Sequence, residues 1–187
     1  FDGLKPKDLL GIPWRVAFAL QADGWYLRQD IVWAKPNPMP ESVRDRCTKA
    51  HEYIFMLSKS ERYFYDAEAI KEPAVAPKAA WTDGGSEKQR GHSRRHAGFN
   101  GRYAERIRAE GPPETRNKRS VWTVTTKPFK EAHFATFPPD LIEPCILAGC
   151  PAGGMVLDPF GGAGTTGLVA ARHGRNATLI ELNPEYV

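Results

Sequence analysis

LDPFGGAGTTG, residues 157–167, is the stretch on which the reading of this 187-residue chain turns. It contains Gly162-x-Gly164-x-x-Gly167, the spacing of a nucleotide-binding turn. Glycine lets the backbone approach a ligand closely, and the amides of the helix that follows point at that ligand. GMVLD (154–158) reads as a strand, TTGLVAARH (165–173) as a helix stopped by Gly174, and ATLIEL (177–182) as a second strand. That is a β-turn-α-β unit, the opening of a doubly wound α/β sheet. Glu181, fourteen residues after Gly167, stands where an acid accepts hydrogen bonds from ribose hydroxyls. A glycine loop that only packs helix on strand has the same spacing.

Position argues against a dinucleotide enzyme. Twenty residues follow Gly167, whereas a nicotinamide-binding domain needs about a hundred more to finish its sheet. An oxidoreductase reading therefore requires a long continuation beyond Val187. Gly-Lys-Ser/Thr is missing from the turn, so it is not a phosphate-binding P-loop. Instead, Asp158-Pro159-Phe160 leads in, giving D-P-F-x-G-x-G-T-T.

Upstream, IPWRVAFAL (12–20) reads as a helix with Pro13 in its first turn. GWYLRQDIVWAK (24–35) and HEYIFMLSKS (51–60) read as strands, joined by a proline-rich loop into an antiparallel unit at a sheet edge. SVWTVTT (120–126) reads as a strand and PPDLIEPCILAGC (138–150) as a helix. Between them the composition shifts to Gly, Pro, Arg, Ser and His, so residues 71–119 read as an insertion into a domain formed by 1–70 and 120–187. From Lys88 to Arg119, ten basic residues face three acidic ones, a local charge of +7 on a remainder of −3. Trp81, Phe99 and Tyr103 are scattered through the insertion, interleaving aromatic with basic residues. Such a block fits either a polyanion partner or a solvated loop.

No apolar run approaches the length of a membrane span, and no secretory signal opens the chain. Cys47, Cys145 and Cys150 lack paired spacing, so they read as buried free thiols of a cytoplasmic protein, with no metal site. Phe1 rather than Met begins the chain, and both ends read as cut.

VLDPFGGAGTTGLVA (156–170) resembles the S-adenosylmethionine-binding motif of DNA amino-methyltransferases, which methylate adenine N6 or cytosine N4. In their permuted beta class the catalytic and DNA-recognition regions precede the cofactor motif, which accounts for the late turn. LRQDIVWAKPNPMP with HEYIFMLSKS looks like the segment lining the target-base pocket. The basic insertion lies where the class keeps its target-recognition region, and HFATFP (133–138) looks like the extra cofactor-binding element. The resemblance implies a Rossmann-like α/β methyltransferase sheet, S-adenosylmethionine as cofactor, and double-stranded DNA with a flipped target base as partner.

The roles follow residue by residue. Phe160, Gly162, Gly164 and Thr165 would surround the methionine part of the cofactor, and Glu181 would bind its ribose. Asp158 would either hold the turn or face the sulfonium. His133, Thr136, Phe137 and Pro138 would close the cofactor site, although a lone histidine also serves structurally. Trp33, Lys35, Pro36 and Asn37 are candidates for the base pocket, where a flipped base needs a stacking surface and hydrogen-bond partners. Trp33 reads equally as core. Arg44, Arg46, Arg94, Arg95 and Arg102 are candidate DNA contacts, with a solvated loop as the alternative. The family's catalytic signature, [Asp/Asn/Ser]-Pro-Pro-aromatic, matches neither GPPE nor FPPD, so no catalytic residue is assigned within 1–187. In the beta class it would lie upstream of Phe1; otherwise the chain is an inactive, DNA-binding relative. Phe137 precedes Pro138 where many adenine enzymes of the family carry Lys, which leans toward cytosine N4.

Overall fold

Residues 3–74, 105–106, 108–111, 113–126 and 136–184 are described in a computed structural model. The chain divides into two compact units, Phe1–Ala69 with Arg119–Val187, and Ile70–Lys118.

In the larger unit α1 (Ile12–Ala22) precedes β1 (Tyr26–Ala34) and β2 (His51–Ser58). Pro13 sits in the first turn of α1, where its missing N–H has no partner to lose. Trp14 on α1 rests edge-on against Phe55 and Tyr53 of β2, with ring centroids 4.8 and 5.4 Å away. β1 and β2 are antiparallel, with Ile31 opposite Ile54 and Trp33 opposite Glu52. Alternation along β1 sends Ile31 and Trp33 inward. On its other side β1 pairs in parallel with β5 (Val121–Thr123), so β2 forms the edge, as the sequence predicts.

In the smaller unit β3 (Glu72–Pro73) pairs antiparallel with β4 (Thr115–Arg116). An Arg116–Glu72 ion pair of 2.9 Å closes this short ladder. Of the insertion, residues 75–104, 107 and 112 lie outside the described residues.

Helix α2 (Pro139–Gly149) joins two cores of the larger unit. Leu141 packs with Ile31, Trp33 and Trp122, while Ile146 packs with Val169 and Ala170. Pro144 removes one hydrogen bond from the ladder of α2, and the helix runs on past it. After α2 come β6 (Met155–Asp158), α3 (Thr165–Arg172) and β7 (Asn176–Leu179), with β6 and β7 parallel. This is the β-turn-α-β unit expected from the glycine pattern.

Several boundaries differ from the sequence reading by one to three residues, and two of them have a clear local cause. Helix α3 ends at Arg172, because His173 caps it and Gly174 adopts φ 67°. Strand β7 ends at Leu179 rather than residue 182. There Ile180 N–H still donates to Asp158 O at 2.9 Å, but its carbonyl turns to accept from Gly161 N–H at 2.8 Å. All three cysteines are free, but the expectation that they are buried holds only for Cys150: Cys145 is half-buried, and Cys47 is exposed on the proline-rich loop. Among the described residues no helix is long and apolar enough to cross a membrane, and no cluster of His, Cys, Asp or Glu fits a metal ion.

Candidate functional site

The glycine turn is held from below by two carboxylates. Asp158 Oδ1 accepts the Phe160 amide at 3.0 Å, and its Oδ2 accepts the Thr166 hydroxyl at 2.6 Å. Glu181 Oε2 accepts the Gly162 amide at 2.7 Å, and its Oε1 accepts the Asn183 amide at 2.8 Å. Gly161 N–H bonds to Ile180 O, and Gly164 N–H to Gly161 O. Those of Ala163, Thr165, Thr166 and Gly167 take no acceptor among the described residues. They sit at the start of α3, where the helix dipole favours negative charge. Phe160 is 85% exposed beside them.

Each glycine has its own reason. Gly162 and Gly164 have φ of 49° and 74°, the left-handed region that side chains disfavour. Gly161 is needed for closeness instead, since a Cβ there would lie 3.0 Å from Leu179 Cβ; at Gly167 it would lie 2.9 Å from Leu179 Cδ1, the movable end of that side chain. Gly161 was not singled out in the sequence, although its doubling with Gly162 was the available signal. At Gly164 an added Cβ would meet nothing closer than 3.8 Å, so backbone strain alone acts there. Gly164→Ala is expected to cost about 1–2 kcal/mol of stability, measured by urea unfolding of the full-length protein.

Phe137 and Pro138 enter α2 beside this turn, with Pro138 as its N-cap. A cavity of about 470 Å³ is lined by Phe137, Val156, Leu157, Asp158 and Thr166 among others, so Phe137 and Asp158 face one space. Thr136 is half-buried next to Phe137. His133 lies outside the described residues.

The base-pocket candidates form a different arrangement. Trp33 is buried, and its Nε1 donates to Val124 O at 2.7 Å. Lys35 lies over the Trp33 ring, 4.3 Å from its centroid, and pairs with Glu52. Asn37 clamps Thr126, donating to its carbonyl at 3.1 Å and accepting from its amide at 3.0 Å. Pro36 is exposed between them. Three of the four therefore fasten the C-terminal end of β1 to its neighbours. Trp33 also joins Phe137 in lining a second cavity of about 230 Å³. Of the arginines, Arg46 pairs with Glu41 at 2.7 Å and holds that carboxyl below its ordinary range. Arg44 is exposed on the same loop. Arg94, Arg95 and Arg102 lie outside the described residues.

A parallel β-turn-α-β unit with a glycine turn and an acid just past its second strand defines a Rossmann-like α/β fold. A family model described as DNA methylase matches residues 4–187. The chain belongs to this family of N6/N4 DNA amino-methyltransferases. It is 54% identical over 186 residues to the type II methyltransferase M.Cfr9I of Citrobacter freundii, covering all of this chain and 50% of that protein. To M.SmaI of Serratia marcescens it is 49% identical over 185 residues, covering 99% of this chain and 52% of that one. The chain thus spans about half the length of the curated relatives it matches. Among solved structures, the cytosine-N4-specific PvuII DNA methyltransferase superposes with a TM-score of 0.63 at 21% identity, over 100% of this chain and 57% of that one. A complex of M1.HpyAVI with S-adenosylmethionine gives 0.58 at 21% identity, over 96% and 68%.

Proposed function

We propose that this chain carries the cofactor-binding and DNA-facing parts of a type II DNA amino-methyltransferase, one that moves a methyl from S-adenosylmethionine to an exocyclic base amine. The observation that carries this reading is the turn at 158–167, with four amides that take no acceptor among the described residues and Glu181 beside them. The donor set fits the cofactor. Amides at the start of α3 suit the methionine carboxylate, Glu181 suits ribose hydroxyls, and the exposed Phe160 ring offers an apolar contact. Phe137, facing the same cavity as Asp158, would close the site from the other side.

When bound, S-adenosylmethionine would supply an electrophilic methyl on a sulfonium; as the amine nitrogen takes it, the carbon–sulfur bond would break to a thioether and the amine would release one proton. The chain's own part is to bind and orient. The turn fixes the cofactor, and the end of β1, fastened by Trp33, Lys35 and Asn37, gives a rigid wall for the base side. No residue of 1–187 is assigned to hold the amine, since neither Pro-Pro pair fits the [Asp/Asn/Ser]-Pro-Pro-aromatic signature. Residues 71–119, with Arg94, Arg95 and Arg102, are assigned to DNA recognition, and Arg44 and Arg46 to phosphate contact.

Cytosine N4 is the favoured target, supported by Phe137 at the position before Pro138. Methylation of DNA by the full-length protein, followed by nuclease digestion and mass analysis, tests both claims. N4-methylcytosine is expected. N6-methyladenine would overturn the target base, and unmodified DNA would overturn the transferase reading in favour of a non-catalytic DNA-binding relative.

A further inference from the structure

We propose that Thr166 is a positioning residue for cofactor binding, acting through Asp158. The inference rests on the cofactor reading above and deepens it. Thr166 is only 5% exposed, and its hydroxyl spends its proton on Asp158 Oδ2 at 2.6 Å. The other Asp158 oxygen already holds the Phe160 amide. One hydroxyl on the first turn of α3 thus ties the helix start to the end of β6, across the whole glycine turn.

The tie has an electrostatic consequence. Asp158 is a negative side chain next to a helix N-terminus whose amides at Thr165, Thr166 and Gly167 have no acceptor among the described residues. A carboxylate is attracted to such amides, as any anion is. Freed from Thr166, Asp158 would rotate toward them and cap the helix itself, competing with the ligand's carboxylate for the same donors. Held by the Thr166 hydroxyl and the Phe160 amide, it stays beneath the turn and leaves the amides open. The same bond fixes the direction in which those amides point, and small misplacements of such donors weaken binding disproportionately.

The test compares Thr166→Val, which keeps the shape and removes the hydroxyl, with Thr166→Ser, which keeps the hydroxyl. Calorimetry with S-adenosylmethionine on the full-length protein is run beside DNA binding and urea unfolding. The valine variant is expected to bind S-adenosylmethionine about tenfold more weakly, with DNA affinity within twofold of the parent, and the serine variant to recover to within threefold. Thr166→Ala repeats the measurement should the valine variant be unfolded. Parent-like cofactor affinity in the valine or alanine variant would overturn the proposal while leaving the cofactor reading intact. So would equal weakening in valine and serine variants, because that would trace the effect to packing. Failure of the parent protein to bind S-adenosylmethionine would overturn both.

Discussion

Replacing Trp33 by Ala in the full-length protein is expected to lower the unfolding free energy by about 3–5 kcal/mol, the range for deleting a large buried aromatic. The ring is 5% exposed, packs with Ile31, Trp122 and Leu141, and donates from Nε1 to Val124 O across 91 residues of sequence. Alanine would open a void beside the cavity that Trp33 already shares with Phe137 and leave the Val124 carbonyl short of a donor. Urea unfolding measures the loss. Trp33→Phe separates the two readings of this residue. It keeps most of the packing and removes only the N–H, so about 1–3 kcal/mol of stability should go while the KM for DNA stays within twofold. A stable phenylalanine variant with a greatly raised KM for DNA would instead place Trp33 against the target base.

That ambiguity shows where the sequence is legible and where it is not. Alternation along residues 26–34 announces a strand with Trp33 on one face, but it does not say whether that face meets core or ligand. The deciding partners, Val124 and Leu141, come from segments whose approach is set by tertiary packing. The clamp between Asn37 and Thr126 is hidden for the same reason, since its halves are 89 residues apart. Local chemistry reads better. Glycines with left-handed φ at 162 and 164 stand in the motif itself, and Gly174 marks the helix stop. Gly161 and Thr166 escape such a reading, because one is required by the distance to Leu179 and the other by a hydroxyl aimed at Asp158. Strand β7 stops short because the Ile180 carbonyl turns from the ladder to serve the turn, a competition between two partners that hydrophobic pattern does not register.

Glu181 carries the second large effect, on ligand affinity. Its carboxylate accepts two backbone amides, one inside the glycine turn at Gly162 and one beyond β7 at Asn183. It therefore joins the turn to the strand end where ribose hydroxyls are proposed to bind, so one side chain would serve both halves of the cofactor. Removing it takes away a charged acceptor from the ligand and frees the Gly162 amide, loosening the backbone at φ 49°. Charge-assisted hydrogen bonds contribute about 1.5–3 kcal/mol each. Glu181→Ala is accordingly expected to weaken S-adenosylmethionine binding about a hundredfold, with DNA affinity unchanged. Glu181→Gln keeps the length but offers one carbonyl oxygen and an NH2 group. That group would face a donor amide, either Gly162 or Asn183, so an intermediate loss of about tenfold is expected. Calorimetry on the full-length variants reads both values. Alanine binding within threefold of the parent would show that the acid only shapes the turn, and the ribose contact would then have to come from another residue.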